Sequence, residues 1–304
     1  MKSGQSSEAV EKWISETGFP LEMKVARELE TNGFSTGQSF TYPATDEDSA
    51  PRETDVVSRA TFSGGPNFSI SLTLIVECVH IPLGLPWVMF IQHHADRTPA
   101  RGGGYRPDHR LFLDRVGTPG AQGFIQHGYN EDLANKLTLF QLPRHIGYKV
   151  IQMDPSSVVE PEQELARAGT GKGKKPRNYC HEKMLQVYAA AAARLRAAGG
   201  TGLATGHELV FPIIVVEGET FICELDDSGK PKVTRSSGRL AVSTRSLETL
   251  LPSTNLVEIV EWDAFPSYVK DLRQAYSQFS SFVGAHGSEY SRTAAQNAMK
   301  LYTA

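Results

Sequence analysis

The chain has 304 residues, of which 40% are hydrophobic and 21% are charged, so it can bury a substantial core as one large domain or two small ones. This composition excludes disorder throughout the chain. The formal net charge of -3 excludes a uniformly basic nucleic-acid packaging protein, so any site for a polyanion must be a local patch.

The cysteine content and the N-terminus predict the compartment. Cys78, Cys180 and Cys223 lie far apart, which fits neither a disulfide framework nor a zinc knuckle and favours a reducing interior. The N-terminus has no apolar signal core, and prolines interrupt the longest apolar run, residues 81–91. We therefore expect a soluble, cytoplasmic protein with no membrane partner.

The N-terminal third reads as two helices followed by strands. The pattern predicts a helix from Ser6 or Ser7 to about residue 16 and a second over residues 20–32, which Gly33 ends. After a short run at residues 40–42, strands are predicted at residues 54–62, 68–79 and 87–92. The run 68–79 is rich enough in β-branched and apolar residues to be central in a sheet.

Two segments in the middle of the chain lack periodicity and are rich in basic residues. Residues 95–128 contain many Gly, Pro and Arg residues and are predicted to be an insertion rather than a domain. Residues 160–177 contain the run GTGKGKKPR and are predicted to be a mobile basic loop. The spacing of a nucleotide-binding phosphate loop is not met in this run.

The C-terminal half is predicted to add strands and two helices. Between the two basic segments, residues 147–153 form a short strand. A helix over residues 178–198 is followed by a strand meander at 209–216, 219–225 and 230–235. A strand at 256–261 then leads into a helix at about 264–282. We expect a single α/β domain over residues 1–304, with a mixed central sheet flanked by helices and a C-terminal strand meander and helix.

Three carboxylates stand out against this pattern. Glu22 shares the apolar stripe of the second helix, and Glu77 interrupts the apolar run LTLIVECV. Asp55 begins the preceding strand. Each also has a structural explanation: Glu22 as a helix-start acid, Asp55 as a strand-end carboxylate, and Glu77 as a buried acid paired with Arg52 or Arg59.

The order of these segments resembles a known superfamily. GFPLEMKVARELETNGF, RETDVVSRATF and LIVECVHIPLGLPWVMF are similar to segments of the restriction-endonuclease-like, PD-(D/E)XK nuclease superfamily, particularly bacterial members associated with defence and repair. The later segments NYCHEKMLQVYAAAAARL, LVFPIIVVEGETFICEL and VEIVEWDAFPSYVKDL extend the resemblance over most of the chain.

The resemblance implies a metal site at one edge of the sheet. A helix glutamate, a strand aspartate and a second strand acid would bind Mg²⁺, with Mn²⁺ as a substitute, and these positions correspond to Glu22, Asp55 and Glu77. Hard oxygen ligands suit Mg²⁺, which retains waters and coordinates the scissile phosphate.

The chain departs from the superfamily motif at one position. The motif places a lysine two residues after the strand acid, where this chain has Val79. Lys183 could replace it, because it lies about 60° around its helix from Gln186, which matches a glutamine often found in similar proteins. Lys24 points away from Glu22, whereas His93 and His94 end a neighbouring strand and could reach the edge.

The basic segments are the candidate nucleic-acid contacts. Between residues 172 and 196 there are seven basic residues and one acidic residue, which could follow a phosphate backbone or form a solvated surface. The predicted contacts are Arg101, Arg106, Arg110, Lys172, Lys174, Lys175 and Arg177.

Two functions from different classes remain open at this stage. The first is a nuclease that hydrolyses DNA with Mg²⁺, with Glu22, Asp55, Glu77, Lys183 and Gln186 in the site and a role in bacterial defence or DNA repair. The second is a non-catalytic module of the same fold that binds DNA or a partner protein, which the loss of the motif lysine favours. A homo-oligomer or a partner from a defence system is compatible with either function.

Overall fold

A computed structural model gives the fold. It describes residues 4–15, 17, 19–42, 51–65, 68–81, 85–91, 111–114, 146–153, 179–199, 206–236, 238–243, 256–278 and 280–281. The helices are α1 (Gly4–Ser15), α2 (Phe19–Thr31), α3 (Tyr179–Gly199) and α4 (residues 265–278), which a short 3-10 turn, Trp262–Ala264, precedes.

Within these described ranges, eleven strands form one mixed sheet, which confirms the expected α/β class. They are β1 (Ser35–Tyr42), β2 (Arg52–Gly65), β3 (Phe68–His80), β4 (Trp87–Ile91), β5 (Leu111–Asp114), β6 (Ile146–Gln152), β7 (Gly206–Glu217), β8 (Thr220–Leu225), β9 (Pro231–Arg235), β10 (Arg239–Ser243) and β11 (Leu256–Glu261). The order is β1-β2-β3-β7-β11-β10-β6-β4-β8-β9, and β5 pairs with β7 beside β11.

The helix boundaries follow the sequence closely. In α2, the buried residues Leu21, Val25 and Leu29 recur at helical spacing and form one apolar face. Gly33 ends the helix in the left-handed conformation, with φ of 79°, and its N–H donates to the Glu30 carbonyl at 2.9 Å. The observed limits of α1 lie within three residues of the predicted ones, and those of α2 within one.

The central strand β3 separates two apolar layers. Residues 71–79 are all buried, and alternate side chains face opposite sides of the sheet. Leu74, Val76 and Cys78 pack with α2 and α4, whereas Ile75 and Val79 pack with α3. Helices therefore cover both faces of the sheet, as expected.

The predicted C-terminal meander is wrong in one respect. β8 and β9 form an antiparallel hairpin, but β7 does not pair with β8. β7 lies between β3 and β11, and β8 lies between β4 and β9. Turn residues at 217–218 are typical of a hairpin, which would pair β7 with β8. Because β7 is apolar enough to occupy the buried centre of the sheet, it instead pairs in parallel with β3 over twelve residues.

The connection between β7 and β8 shows that the sheet curls. Four strands separate them in the sheet order, which corresponds to about 24 Å in a flat sheet. Only residues 218 and 219 join them, and the chain spans at most about 11 Å over that step. The parallel pair β3–β7 continues into the parallel pair β4–β8, and the Ile81 N–H donates to the Glu217 carbonyl at 2.8 Å at the junction.

Two further elements differ from the sequence predictions. The predicted insertion at 95–128 contains β5, which adds a strand to the sheet beside β7. β10, which pairs with β11 and β6, was not predicted. The rest of the insertion and the predicted basic loop at 160–177 lie outside the described residues. Among the described helices, none is both long and apolar enough to cross a bilayer.

Candidate active site

Asp55 and Glu77 lie side by side on neighbouring strands. β2 and β3 are antiparallel with Val56 opposite Val76, and one further step of this register brings Asp55 level with Glu77. Asp55 accepts a hydrogen bond from the Cys78 N–H at 2.6 Å, which holds its carboxylate across the two strands. The hairpin therefore places two acids together near the start of β2 and the end of β3.

Burial and mutual repulsion act on both strand acids. Burial, and next the charge of Asp55, raises the pKa of Glu77 to about 7, although Lys183 favours the charged form. Burial also raises the pKa of Asp55, against the opposing effects of the Cys78 N–H and Lys183. The two carboxylates therefore attract a compensating cation.

Glu22 joins this pair from the first turn of α2. Burial raises its pKa first, and the neighbouring charge of Asp55 raises it further, while Lys183 lowers it. The charge of Lys183 thus acts on all three carboxylates predicted from the sequence. The start of α2 carries the positive end of the helix dipole, which stabilises an acid there.

Lys183 reaches the acids from α3. Its Nζ donates to Glu77 Oε2 at 2.8 Å, and its side chain is 16% exposed while that of Glu77 is fully buried. Burial lowers the pKa of Lys183, but Glu77 and Asp55 raise it more strongly, so the net shift is upward. The ammonium group therefore stays charged beside the carboxylates.

The second oxygen of Glu77 has no hydrogen-bond partner of normal geometry among the described residues. Oε1 is buried, and the nearby Thr54 hydroxyl favours the charged carboxylate only weakly, whereas Oε2 is held by Lys183. A buried carboxylate oxygen without a donor is costly, and such atoms are uncommon in folded proteins. A cation or a donor supplied by a ligand would satisfy it.

Hydrogen bonds of Gln186 and Tyr42 hold α3 in position beside the two acids. Gln186 Nε2 donates to the Glu53 carbonyl of β2 at 2.7 Å, and the Tyr42 hydroxyl donates to the Gln186 carbonyl at 3.0 Å. Burial and then the charge of Glu77 raise the pKa of Tyr42 to about 12. Gln186 therefore binds backbone rather than an acid, and it positions the helix that carries Lys183.

Tyr42 was missed by the sequence reasoning. It ends β1 immediately before an acidic stretch, and a single aromatic residue at a strand end carries no chemical signal. Only the tertiary fold brings it to α3, where it is 3% exposed.

The arginine explanation for Glu77 is wrong. Arg59 donates to the Ser71 hydroxyl at 2.6 Å, and Lys183, rather than an arginine, binds Glu77. Lys24 binds Glu217 at 2.8 Å, in agreement with the prediction that it points away from Glu22. Val79 is 1% exposed and packs in the layer around α3, so the position of the motif lysine is part of the core.

The predicted nucleic-acid contacts cannot be placed on this site. Residues 92–110 and 154–178 lie outside the described part of the chain. These ranges contain His93 and His94, together with Arg101, Arg106, Arg110, Lys172, Lys174, Lys175 and Arg177.

Asp55 and Glu77 fit Mg²⁺ as a pair of carboxylate ligands, not as part of a set of three. Within the described residues, no group of three or more His, Cys, Asp or Glu side chains is arranged to hold a metal ion, so Glu22 does not complete a three-carboxylate set. Mg²⁺ commonly uses only one or two carboxylates and keeps waters and substrate phosphates as its other ligands. The adjacent acids Asp55 and Glu77, with the unpartnered Oε1, match that donor set.

Comparisons with known proteins give no relatives. No protein-family model matches the chain, and no match is found among curated proteins or solved structures.

Proposed function

We propose that this protein is a Mg²⁺-dependent nuclease of restriction-endonuclease-like fold that hydrolyses phosphodiester bonds in DNA. The observation that carries the proposal is the cluster of Asp55, Glu77 and Lys183, in which the lysine binds one oxygen of Glu77 and the other oxygen is buried with no hydrogen-bond partner in the described part of the chain. A lysine beside paired acids is the combination that the superfamily motif uses, although here it comes from α3.

The order of the elements supports the finer fold assignment. α2 carries Glu22, the antiparallel strands β2 and β3 carry Asp55 and Glu77, and α3 then leads to β7, which is parallel to β3. This is the helix glutamate, strand aspartate and second strand acid that the sequence resemblance implies. A DNA substrate and a role in bacterial defence or repair rest on that resemblance alone.

The side chains divide the chemical work between them. Asp55 and Glu77 would hold Mg²⁺, and Glu22 adds negative charge beside them. Bound Mg²⁺ supplies charge stabilisation on the phosphate and lowers the pKa of an attacking water. Because its pKa is raised, Lys183 acts as a cation that contacts phosphate or orients water and not as a general base.

A non-catalytic module is the second candidate, and Val79 favours it. The buried Val79 can neither contact phosphate nor orient water, and the Lys183–Glu77 ion pair partly neutralises the acids without a metal. Such a protein would keep the fold and bind DNA or a partner protein without cleaving.

A cleavage assay separates the two candidates. Wild type and the Asp55→Asn and Glu77→Gln variants are incubated with supercoiled plasmid, single-stranded DNA and RNA, in Mg²⁺, in Mn²⁺ and in EDTA. We expect metal-dependent cleavage of DNA by wild type and roughly a hundredfold or greater loss in both variants. Glu217→Gln is the matched control, because this acid binds Lys24 at the end of β7 and should cleave like wild type.

The alternative outcome is equally clear. If wild type binds DNA but cleaves none of the substrates with either metal, the nuclease proposal is wrong and the binding module is supported. Equal cleavage by wild type and Glu77→Gln would also overturn the assignment of the site.

A further inference from the structure

A polar cavity lies between the C-terminal end of α2, strand β2 and helix α4. Its volume is about 660 Å³, within the range of small-ligand sites. Along α2, Asn32 at this cavity is about 15 Å from Glu22, so the cavity is separate from the candidate active site. None of the described residues that line it is acidic; basic, amide and hydroxyl groups come from Lys270, Arg273, Gln274, Ser277, Ser280 and Ser281.

Two cations face this cavity without a carboxylate partner. The Arg273 guanidinium lies 5.7 Å from the ring centres of both Phe34 and Tyr276, and it makes no ion pair with any residue that the structure describes. Lys270, one helical turn earlier and exposed, likewise has no ion pair there. Two aromatic rings restrict the guanidinium, whose planar donors match the oxygens of a phosphate.

Ser280 contributes an independent observation. It lines the cavity, is only 3% exposed, and its Oγ has no hydrogen-bond partner among the residues that the structure describes. A buried hydroxyl without a partner is uncommon and is satisfied when a ligand accepts its proton. An anion in the cavity would accept from Ser280 and be neutralised by Lys270 and Arg273.

Part of this arrangement has a purely structural explanation. The Arg273 side chain passes within 3.8 Å of the position that a Cβ would occupy on Gly33, and a basic group near the C-terminal end of α2 complements the helix dipole. This accounts for Arg273 alone. It does not account for the unpartnered Lys270 or for the buried Ser280 hydroxyl in the same cavity.

We propose that this cavity binds a phosphate group, carried either by a free nucleotide or by the backbone of a nucleic acid. Lys270 and Arg273 supply the charge, and Ser280 donates a hydrogen bond to a phosphate oxygen. The site needs no metal and is independent of the nuclease proposal.

Binding to the full chain is measured by NMR titration and calorimetry in EDTA, with inorganic phosphate, adenosine 5′-monophosphate and a twelve-nucleotide single strand as probes. We expect Lys270→Gln and Ser280→Ala each to weaken binding roughly tenfold or more. Neither variant should unfold, because Lys270 is exposed and Ser280→Ala removes an unpartnered buried hydroxyl. Arg27→Gln is the matched control, since Arg27 is exposed on α2 and is not among the residues that line the cavity.

The three probes distinguish the source of the phosphate. Equal affinity for the monophosphate and the oligonucleotide identifies a nucleotide site. If the oligonucleotide binds much more tightly than the monophosphate, and Lys270→Gln weakens that binding, the site contacts the nucleic-acid backbone. The proposal is overturned if no probe binds, or if Lys270→Gln and Ser280→Ala bind as wild type does.

Discussion

At the scale of single residues, Glu77 is the buried acid at the centre of the candidate active site. Its side chain is fully buried, one oxygen binds Lys183 at 2.8 Å, and the other has no hydrogen-bond partner within the described ranges. A residue in that position lowers the stability of the metal-free protein, because a buried charge is only partly compensated. Such a cost is expected where a protein binds a cation or a charged substrate.

The Lys183–Glu77 pair should behave as a buried ion pair. Lys183→Met leaves Glu77 without its cation and should lower the free energy of unfolding by about 3 kcal/mol in EDTA at pH 8. Combining it with Glu77→Gln should recover most of that loss, because the fully buried Glu77 charge is then removed together with its cation. Urea denaturation of the two single variants and the double variant measures this coupling.

The exposed pair Lys24–Glu217 provides the matched comparison. Its nitrogen-to-oxygen distance is also 2.8 Å, but the side chains are 45% and 34% exposed. Lys24→Met should therefore change the free energy of unfolding by less than about 1 kcal/mol. A similar loss for both lysine variants would contradict the role of burial.

The raised pKa of Glu77 predicts a pH dependence of stability in the metal-free protein. The folded-state pKa is about 7 and the ordinary value is 4.5, so the folded state binds the extra proton between these values. The contribution of Glu77 to stability is complete below pH 4.5 and is lost as the pH rises to about 7. The loss is roughly 3 kcal/mol, because each pKa unit corresponds to about 1.4 kcal/mol.

The measurement compares wild type with Glu77→Gln by urea denaturation in EDTA from pH 4.5 to 8. Other groups titrate in both proteins, so the difference between the two curves isolates Glu77. We expect wild type to lose stability relative to the variant over this range, and parallel curves would refute the prediction.

At the scale of elements, the alanine run of α3 serves both helix formation and packing. The run has high helix propensity, which sufficed to predict the helix. In the structure, all five alanines from Ala189 to Ala193 are buried by more than nine-tenths. A helix enclosed on several sides is expected to carry small apolar residues all round, because larger ones would separate it from the sheet.

The packing around α3 should not accept a larger side chain. Ala191 is completely buried in the layer that contains Ile75, Val79 and Trp87, so Ala191→Leu should lower the free energy of unfolding by about 1–3 kcal/mol. Ala9→Leu on the exposed face of α1 makes the same substitution without crowding and should change stability little. Equal effects at the two positions, measured by thermal and urea denaturation, would contradict the enclosed position of α3.

At the scale of the whole molecule, the curl of the sheet determines which elements meet. β7 and β8 belong to distant parts of the strand order, yet two residues join them. Gly218 lies in that connection with φ of 147°, and a Cβ there would lie 2.5 Å from Ile81 Cβ and 2.9 Å from the Ile81 carbonyl oxygen. The close approach at this point requires glycine.

Gly218 and Gly229 form a matched pair for testing this junction. Both have a positive φ, but a Cβ on Gly229 would meet no atom within 4 Å. Gly229→Ala should lower the free energy of unfolding by about 1–2 kcal/mol from backbone strain alone. Gly218→Ala should lower it by roughly 1–3 kcal/mol more, because Ile81 must also move. Equal losses in thermal denaturation would argue against the close contact at Gly218.

The sequence by itself determined most of the elements and the acids and the lysine of the candidate site. Periodicity placed α2 and α3 within one residue of their limits and α1 within three, and the prediction of β11 at 256–261 was confirmed. Glu77 was recognisable because a charge inside a central strand is physically unusual. These features depend on local chain geometry, which neighbouring residues specify.

Only the tertiary structure decided how those elements meet. Strand order and the curl that separates β7 from β8 depend on pairings between residues far apart in the chain, which local patterns do not encode. For the same reason, the 2.8 Å contact between Lys183 and Glu77, the position of Tyr42 against α3 and the cavity beside α4 were not visible as patterns. Side chains 106 positions apart meet because the apolar faces of β3 and α3 must be buried against each other, and that burial brings the lysine to the acid.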